Sequence, residues 1–199
     1  MKIIFAGSPA FALPTFQALL DSHHEILAVY TQPDKPAGRG RKLTPTLIKS
    51  AAESAGIPVH EPLHFKDTST ITTLADYQPD LMVVVAYGCL LPQAVLDIPR
   101  HGCINLHPSL LPLWRGATPI QCALLHGETV TGVTVIQMEK GMDSGPILFQ
   151  STHDIPNEAT SESLHEDLAI HGAQAIIDTI HRITTGNCHG AQQIDAQAT

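Results

Sequence analysis

Leu81-Met82-Val83-Val84-Val85 places five apolar residues in a row. A run without polar alternation suits a strand covered on both faces, as strands of parallel sheets are. Working outward, similar short runs occur at 2–6, 26–31, 102–106, 132–138 and 146–150. Longer amphipathic segments lie between them, at 10–21, 45–55, 68–76, 91–97, 117–126 and 161–184. In the last, Leu164, Leu168, Ile176, Ile180 and Ile183 recur at helical spacing after Thr160 or Ser161 as N-cap. The alternation predicts an α/β fold, Rossmann-like, with a mostly parallel sheet and helices on both faces.

The 199 residues, 43% of them hydrophobic, suffice for one well-buried domain and are short for two. Internal repeats are absent. After Gly186 the periodicity stops, so residues 187–199 read as a linker or frayed end. The formal charge of −8 argues against a generally nucleic-acid-binding surface, but the average hides a reversal. Residues 34–49 contain Lys35, Arg39, Arg41, Lys42 and Lys49 against the single acid Asp34, a local +4 beside −12 elsewhere. Within it, Pro33 through Pro45 is rich in Gly, Pro and basic residues and reads as a long exposed loop.

Cys89, Cys103, Cys122 and Cys188 form no C-x-x-C pair, and three lie in or beside apolar runs, as buried free thiols do. The opening MKIIFAGS is interrupted too early for a signal-peptide core, and no stretch of eighteen apolar residues occurs. These features predict a soluble, cytoplasmic protein. Twelve histidines invite a metal reading, yet His171 is six positions beyond His165-Glu166 and falls on another helix face, so no metal is expected. Gly38-Arg39-Gly40 and Gly7-Ser8-Pro9 each lack the rest of a dinucleotide fingerprint. In Gly141-Met142-Asp143-Ser144-Gly145 the serine is displaced from the centre a nucleophile elbow requires.

Chemistry concentrates elsewhere. The run Gly102-Cys103-Ile104-Asn105-Leu106 leads into His107-Pro108. In an extended chain residues two apart face the same way, so Asn105 and His107 point together. Pro108 keeps His107 out of helical angles. Carboxyl ends of parallel strands are where open α/β sheets hold ligands. An amide donor beside an imidazole is suited to stabilising a tetrahedral oxyanion. The competing account makes Asn105 a strand cap and His107 a satisfied half-buried histidine. Asp143 lies in a glycine-flanked loop between two strands, where a carboxylate can orient His107 and accept an amine proton through water, or form an ordinary Asx-turn. Spacing leaves open whether it reaches His107.

The stretch Asn105-Leu106-His107-Pro108-Ser109-Leu110-Leu111-Pro112, followed by Arg115-Gly116 and Asp143, resembles the formyltransferase family that uses 10-formyltetrahydrofolate. The match spans most of residues 2–185, and residues 33–43 resemble the basic loop of family members that act on methionyl-tRNA. The resemblance implies the formyltransferase fold and transfer of the formyl group of 10-formyltetrahydrofolate to the amino group of initiator methionyl-tRNA. It implies catalytic roles for Asn105, His107 and Asp143, and folate contacts from Ser109, Leu110, Leu111, Pro112, Ala86, Tyr87, Gly88, Leu90 and Leu91. It implies tRNA contacts from Lys35, Arg39, Arg41 and Lys42, and a cis Leu111-Pro112 bond. Arginine can bind phosphate through two donors, which independently suits the basic loop to RNA. Residues 1–186 would be a catalytic domain and 187–199 a linker toward a C-terminal tRNA-binding domain absent from this chain. A monomer is expected.

Two alternatives remain open at this level. One is a formyltransferase acting on a small amine such as glycinamide ribonucleotide or an amino sugar. The other is a folate- or RNA-binding remnant without turnover.

Overall fold

Every apolar run expected to be a strand is one in the computed structural model, which describes residues 1–37 and 42–199. The chain divides into two compact units, Met1–Cys103 and Ile104–Thr199, where composition suggests one domain. The division falls inside the strand that carries Asn105.

In the first unit β1 (Lys2–Gly7), β2 (Glu25–Tyr30), β5 (Val59–His60) and β6 (Leu81–Val85) run parallel in the order β5-β2-β1-β6. Helices α1 (Leu13–Leu20), α2 (Leu47–Ser54), α3 (Thr68–Asp76) and α4 (Gln93–Leu96) fall within the expected segments. All five residues of β6 are buried, as are Ile3, Ile4 and Phe5 of β1, which explains their lack of polar alternation. Phe5 packs on Phe16 of α1 with ring centroids 5.1 Å apart. At Gly7 a Cβ would come within 2.9 Å of the Val85 carbonyl, so only glycine lets β1 end this close to β6. The carboxyl ends of these strands are tied together just beyond. Ser8 Oγ accepts from Gln32 N at 3.0 Å and donates to the Tyr87 carbonyl at 3.4 Å.

The segment read as a long loop is instead rooted in an antiparallel ribbon of β3 (Lys35–Ala37) and β4 (Lys42–Thr44), with Pro36 opposite Leu43. Pairing at an edge tolerates a proline, whose missing N–H costs nothing on an open side. The ribbon leads into α2 through Thr46, whose hydroxyl accepts from Lys49 N and contacts Thr31 Oγ1 at 2.8 Å.

The second unit pairs β7 (Cys103–His107), β8 (Val130–Gln137) and β9 (Ile147–Asp154) antiparallel in that order. Its helices are α5 (Pro119–Leu125) and α6 (Ser161–Thr184). Thr160 caps α6 as expected: its hydroxyl accepts from Ser163 N while Ser163 Oγ accepts from Thr160 N. Leu164, Leu168, Ile176 and Ile180 of α6 are fully buried, each contributing roughly 1.5–3 kcal/mol by removal from water. Gly172 lets α6 approach β7, because a Cβ there would overlap Leu106 Cδ2.

Residues 187–199 are aperiodic, but they are not frayed. Ala191 exchanges main-chain hydrogen bonds with Ile147 at 2.8 and 2.9 Å, and Asp195–Gln197 forms a 3-10 turn. The partners are supplied by β9 and by Arg115, neither of which is near in sequence.

Candidate active site

Asn105 and His107 lie two residues apart on β7, opposite Ile136 and Thr134 of β8. The loop between β8 and β9 carries Asp143 back to them. Asp143 Oδ1 accepts from Asn105 Nδ2 at 3.3 Å, and Oδ2 lies 3.5 Å from His107 Nδ1. Oδ2 also accepts the Gly116 N–H at 3.0 Å. The two sharpest features of these loops serve that convergence. Gly116 has φ +100°, where a side chain would strain the backbone, and a Cβ at Gly145 would overlap the Gln137 carbonyl.

His107 is buried, and its Nε2 lies 2.8 Å from the Trp114 carbonyl. A carbonyl only accepts, so Nε2 carries a proton and donates it. Protons are therefore gained and lost at Nδ1, on the side facing Asp143. Burial pushes the His107 imidazolium pKa below its ordinary value, opposed by the Asp143 charge and the Trp114 carbonyl. Asn105 has a second amide proton that is not directed at Asp143, since an amide nitrogen bears two. The cluster thus combines a fixed neutral donor, an imidazole that can take a proton, and a carboxylate that stabilises it once charged. That is equipment for a reaction that builds negative charge on an oxygen while an amine sheds a proton.

In the segment 109–112, whose residues the resemblance assigns to folate contact, much of the main chain is paired within the protein. Ser109 and Leu111 are buried, and their polar groups are taken: Thr134 Oγ1 donates to the Ser109 carbonyl and accepts from Leu111 N. Gln150 Nε2 donates to the Leu111 carbonyl at 2.9 Å, and Ser109 Oγ donates to Leu113 O. Buried polar groups pair internally wherever a partner is in reach, and Thr134 and Gln150 are. Leu110 and Pro112 keep partial exposure, and the Leu111-Pro112 bond is cis, as expected. In the first unit Tyr87 and Leu91 are buried, whereas Ala86, Gly88 and Leu90 are exposed. Gly88, Cys89, Leu90 and Pro92 face Leu63 and Phe65 across a cleft of about 340 Å³.

Of the basic residues expected to meet tRNA, Lys35 is exposed. Arg39 and Arg41 lie outside the described residues, as does the Lys42 side chain. Lys49 is withdrawn from any phosphate: its ammonium donates to Asp34 at 2.8 Å and to Glu61 at 2.9 Å, which raises its pKa. Among the described residues no group of three or more His, Cys, Asp or Glu could hold a metal ion, and no helix is long and apolar enough to cross a membrane. The described cysteines are free thiols.

Sequence reasoning missed the Trp114 carbonyl, the Gly116 N–H and Gln193, all of which contact His107 or the Asp143 loop. The first two are main-chain groups, a carbonyl that every residue supplies and an N–H that every residue but proline supplies, so residue type does not mark them.

Comparison with known proteins gives this geometry a family. Over 198 residues the chain is 53% identical to methionyl-tRNA formyltransferase of Ectopseudomonas mendocina (strain ymp), covering 100% of this chain and 63% of the relative. Over 199 residues it is 52% identical to the enzyme of the same name from Pseudomonas paraeruginosa (strain DSM 24068 / PA7), covering 100% and 64%. The chain therefore spans somewhat less than two thirds of the length of these relatives. Among solved structures, glycinamide ribonucleotide transformylase 1 from Symbiobacterium toebii superposes with a TM-score of 0.78 at 21% identity, over 98% of this chain and 94% of that one. The sugar 3N-formyl transferase WlaRD superposes with a TM-score of 0.76 at 19% identity, over 100% and 68%. At such identities the likeness establishes the shared α/β fold. A family model described as formyl transferase matches residues 1–180, and on that match the chain belongs to the formyl transferase family.

Proposed function

We propose that this chain transfers the formyl group of 10-formyltetrahydrofolate to the amino group of initiator methionyl-tRNA. The observation that carries the reading is the Asn105-Asp143-His107 cluster, in which one carboxylate bridges an amide donor and an imidazole. The acceptor is assigned from the named relatives at 52–53% identity across the chain, supported by the basic residues Lys35, Arg39, Arg41 and Lys42. Solved sugar and glycinamide ribonucleotide enzymes resemble it at only 18–24% identity.

The acceptor amine attacks the formyl carbon, forming a C–N bond and a tetrahedral oxyanion. The free Asn105 amide proton stabilises that oxygen, and a single such donor contributes about 2.7–4 kcal/mol in comparable sites. The amine proton passes through water to the Asp143-His107 pair, where it resides on His107 Nδ1, placing beside the oxyanion a positive charge that the Asp143 carboxylate stabilises. Collapse breaks the bond from the formyl carbon to folate N10, which takes up the proton shed by the amine and held by the Asp143-His107 pair. Donor contacts are assigned to Ala86, Tyr87, Gly88, Leu90 and Leu91 and to residues 109–112, with the exposed Ala86, Gly88 and Leu90 and the partly exposed Leu110 and Pro112 touching the folate. With this acceptor the place of action is the cytoplasm.

The test is a single-turnover assay with 10-formyltetrahydrofolate and, in parallel, methionyl-tRNA, glycinamide ribonucleotide and a nucleotide-linked amino sugar. Formylmethionyl-tRNA as the dominant product supports the reading. Preferential formylation of either small amine replaces the acceptor, and donor binding without product in all three leaves a non-catalytic folate binder.

A further inference from the structure

Asp143 adopts φ +48°, in the left-handed region that a non-glycine residue occupies at a cost. Such a conformation persists only where the surroundings over-determine it. Its carboxylate contacts account for the side chain, and a different residue holds the backbone. Gln193, distant in sequence, donates from Nε2 to the carbonyl oxygens of both Asp143 and Gly145, each at 2.8 Å. Its Oε1 in turn accepts from Arg115 Nε at 3.1 Å and Nη2 at 2.9 Å. Arginine has no acceptor and a carbonyl has no donor, so the carboxamide has only one orientation that satisfies both ends. All four of its hydrogen-bonding positions are used.

Two further features aim it. Ala191 pairs in both directions with Ile147, which sets the register two residues before Gln193. Arg115 Nη2 also reaches Asp195 at 2.9 Å, fixing the guanidinium from the other side. Gly116, adjacent to Arg115, donates its N–H to the Asp143 carboxylate. The Arg115-Gly116 segment therefore grips Asp143 twice, directly at the side chain and through Gln193 at the main chain.

We propose that Gln193, clamped by Arg115, is a positioning residue that holds the Asp143 loop in the strained conformation presenting its carboxylate to Asn105 and His107. The inference rests on the proposed role of Asp143, so its test includes a readout independent of formyl transfer. Gln193→Ala removes the clamp. Gln193→Glu keeps the link to Arg115 but replaces the donor with an oxygen that repels both loop carbonyls. In the 199-residue chain both variants are expected to lose between roughly tenfold and a hundredfold in kcat, as small misplacements of catalytic groups do, with the donor KM held within about twofold. Wild-type kcat in Gln193→Glu overturns the proposal, because that variant retains the attachment of the tail.

The second readout is the titration of the His107 ring followed by NMR, with Asp143→Asn as reference for the lost charge. Asp143 raises the His107 pKa, so loosening it in Gln193→Ala is expected to lower that pKa in the same direction as Asp143→Asn. A titration that coincides with the wild-type curve overturns the proposal. A wild-type chain that transfers no formyl group refutes the proposed function, and the titration then decides the positioning role on its own.

Discussion

Replacing Asp143 with Asn keeps the shape of the side chain and removes its charge. In the native cluster both carboxylate oxygens accept: Oδ1 from Asn105 Nδ2 at 3.3 Å and Oδ2 from the Gly116 N–H at 3.0 Å. An asparagine has one accepting oxygen and one donating nitrogen, so a donor must face a donor on one side. If the nitrogen faces Gly116, a main-chain N–H loses its partner at a cost of about 1–3 kcal/mol. If it faces Asn105, that amide must turn its carbonyl inward, and the oxyanion loses its donor. In either case His107 loses the anion 3.5 Å from Nδ1 that stabilises its protonated form, a charge-assisted contact worth about 1.5–3 kcal/mol. The lost ion contact alone costs the transition state about 1.5–3 kcal/mol, roughly one to two orders of magnitude in transfer rate, and with the oxyanion donor lost as well about 4–7 kcal/mol, roughly three to five orders. Donor affinity is expected to change little, since the folate contacts assigned here do not include Asp143. The assay is single-turnover formyl transfer to methionyl-tRNA beside calorimetric titration with the folate. Equal losses of transfer and donor binding would refute the catalytic role and make Asp143 a structural residue. A transfer rate within a few-fold of wild type would remove it from the chemistry.

Three further predictions address other parts of the molecule. Arg39→Ala is expected to weaken use of methionyl-tRNA selectively and to flatten its salt dependence by roughly 0.9 of a unit of slope, with folate affinity unmoved; an unchanged tRNA dependence at several salt concentrations would make the basic segment a solvated surface. Gly172→Ala places a Cβ 3.0 Å from Leu106 Cδ1 and 3.2 Å from Cγ, against a side chain only 2% exposed. Overpacking of about 1–3 kcal/mol outweighs a helix-propensity gain of about 0.8–1.0 kcal/mol, so urea denaturation should show a lower midpoint, and a raised midpoint would mean that Leu106 moves freely. Finally, burial lowers the pKa values of His24, His60, His107 and His171, so the unfolded chain binds more protons than the folded one just below the ordinary histidine pKa. Their contribution to stability is complete above about pH 6.5 and is lost as pH falls through that value toward the folded pKa values; urea unfolding at pH 7.5 and pH 5.5 should show the loss, and equal stability at the two would contradict it.

Much of this architecture is written in local pattern. Leu81–Val85 is a strand buried on both faces because nothing in it tolerates water, and α6 begins at Thr160 because a hydroxyl there satisfies the open N–H of Ser163. Asn105 and His107 face one way because a strand repeats every two residues. Other features escaped because their cause is not local. The pairing of Lys35–Ala37 with Lys42–Thr44 runs against the low strand propensity of proline and charge, and the main chain of 109–112 is occupied because Thr134 and Gln150 arrive from other strands. The reach of Asp143 to Asn105, the grip of Gly116 and the clamp of Gln193 join residues 38, 27 and 50 positions apart. Periodicity and capping act over a few residues, so the sequence by itself determined which segments fold and which side chains share a strand face. Where two loops meet depends on the packing of whole elements, and several of the atoms that meet there are peptide N–H and C=O groups, which carry no mark of the side chain; only the tertiary structure decided that Asp143 would stand between Asn105 and His107.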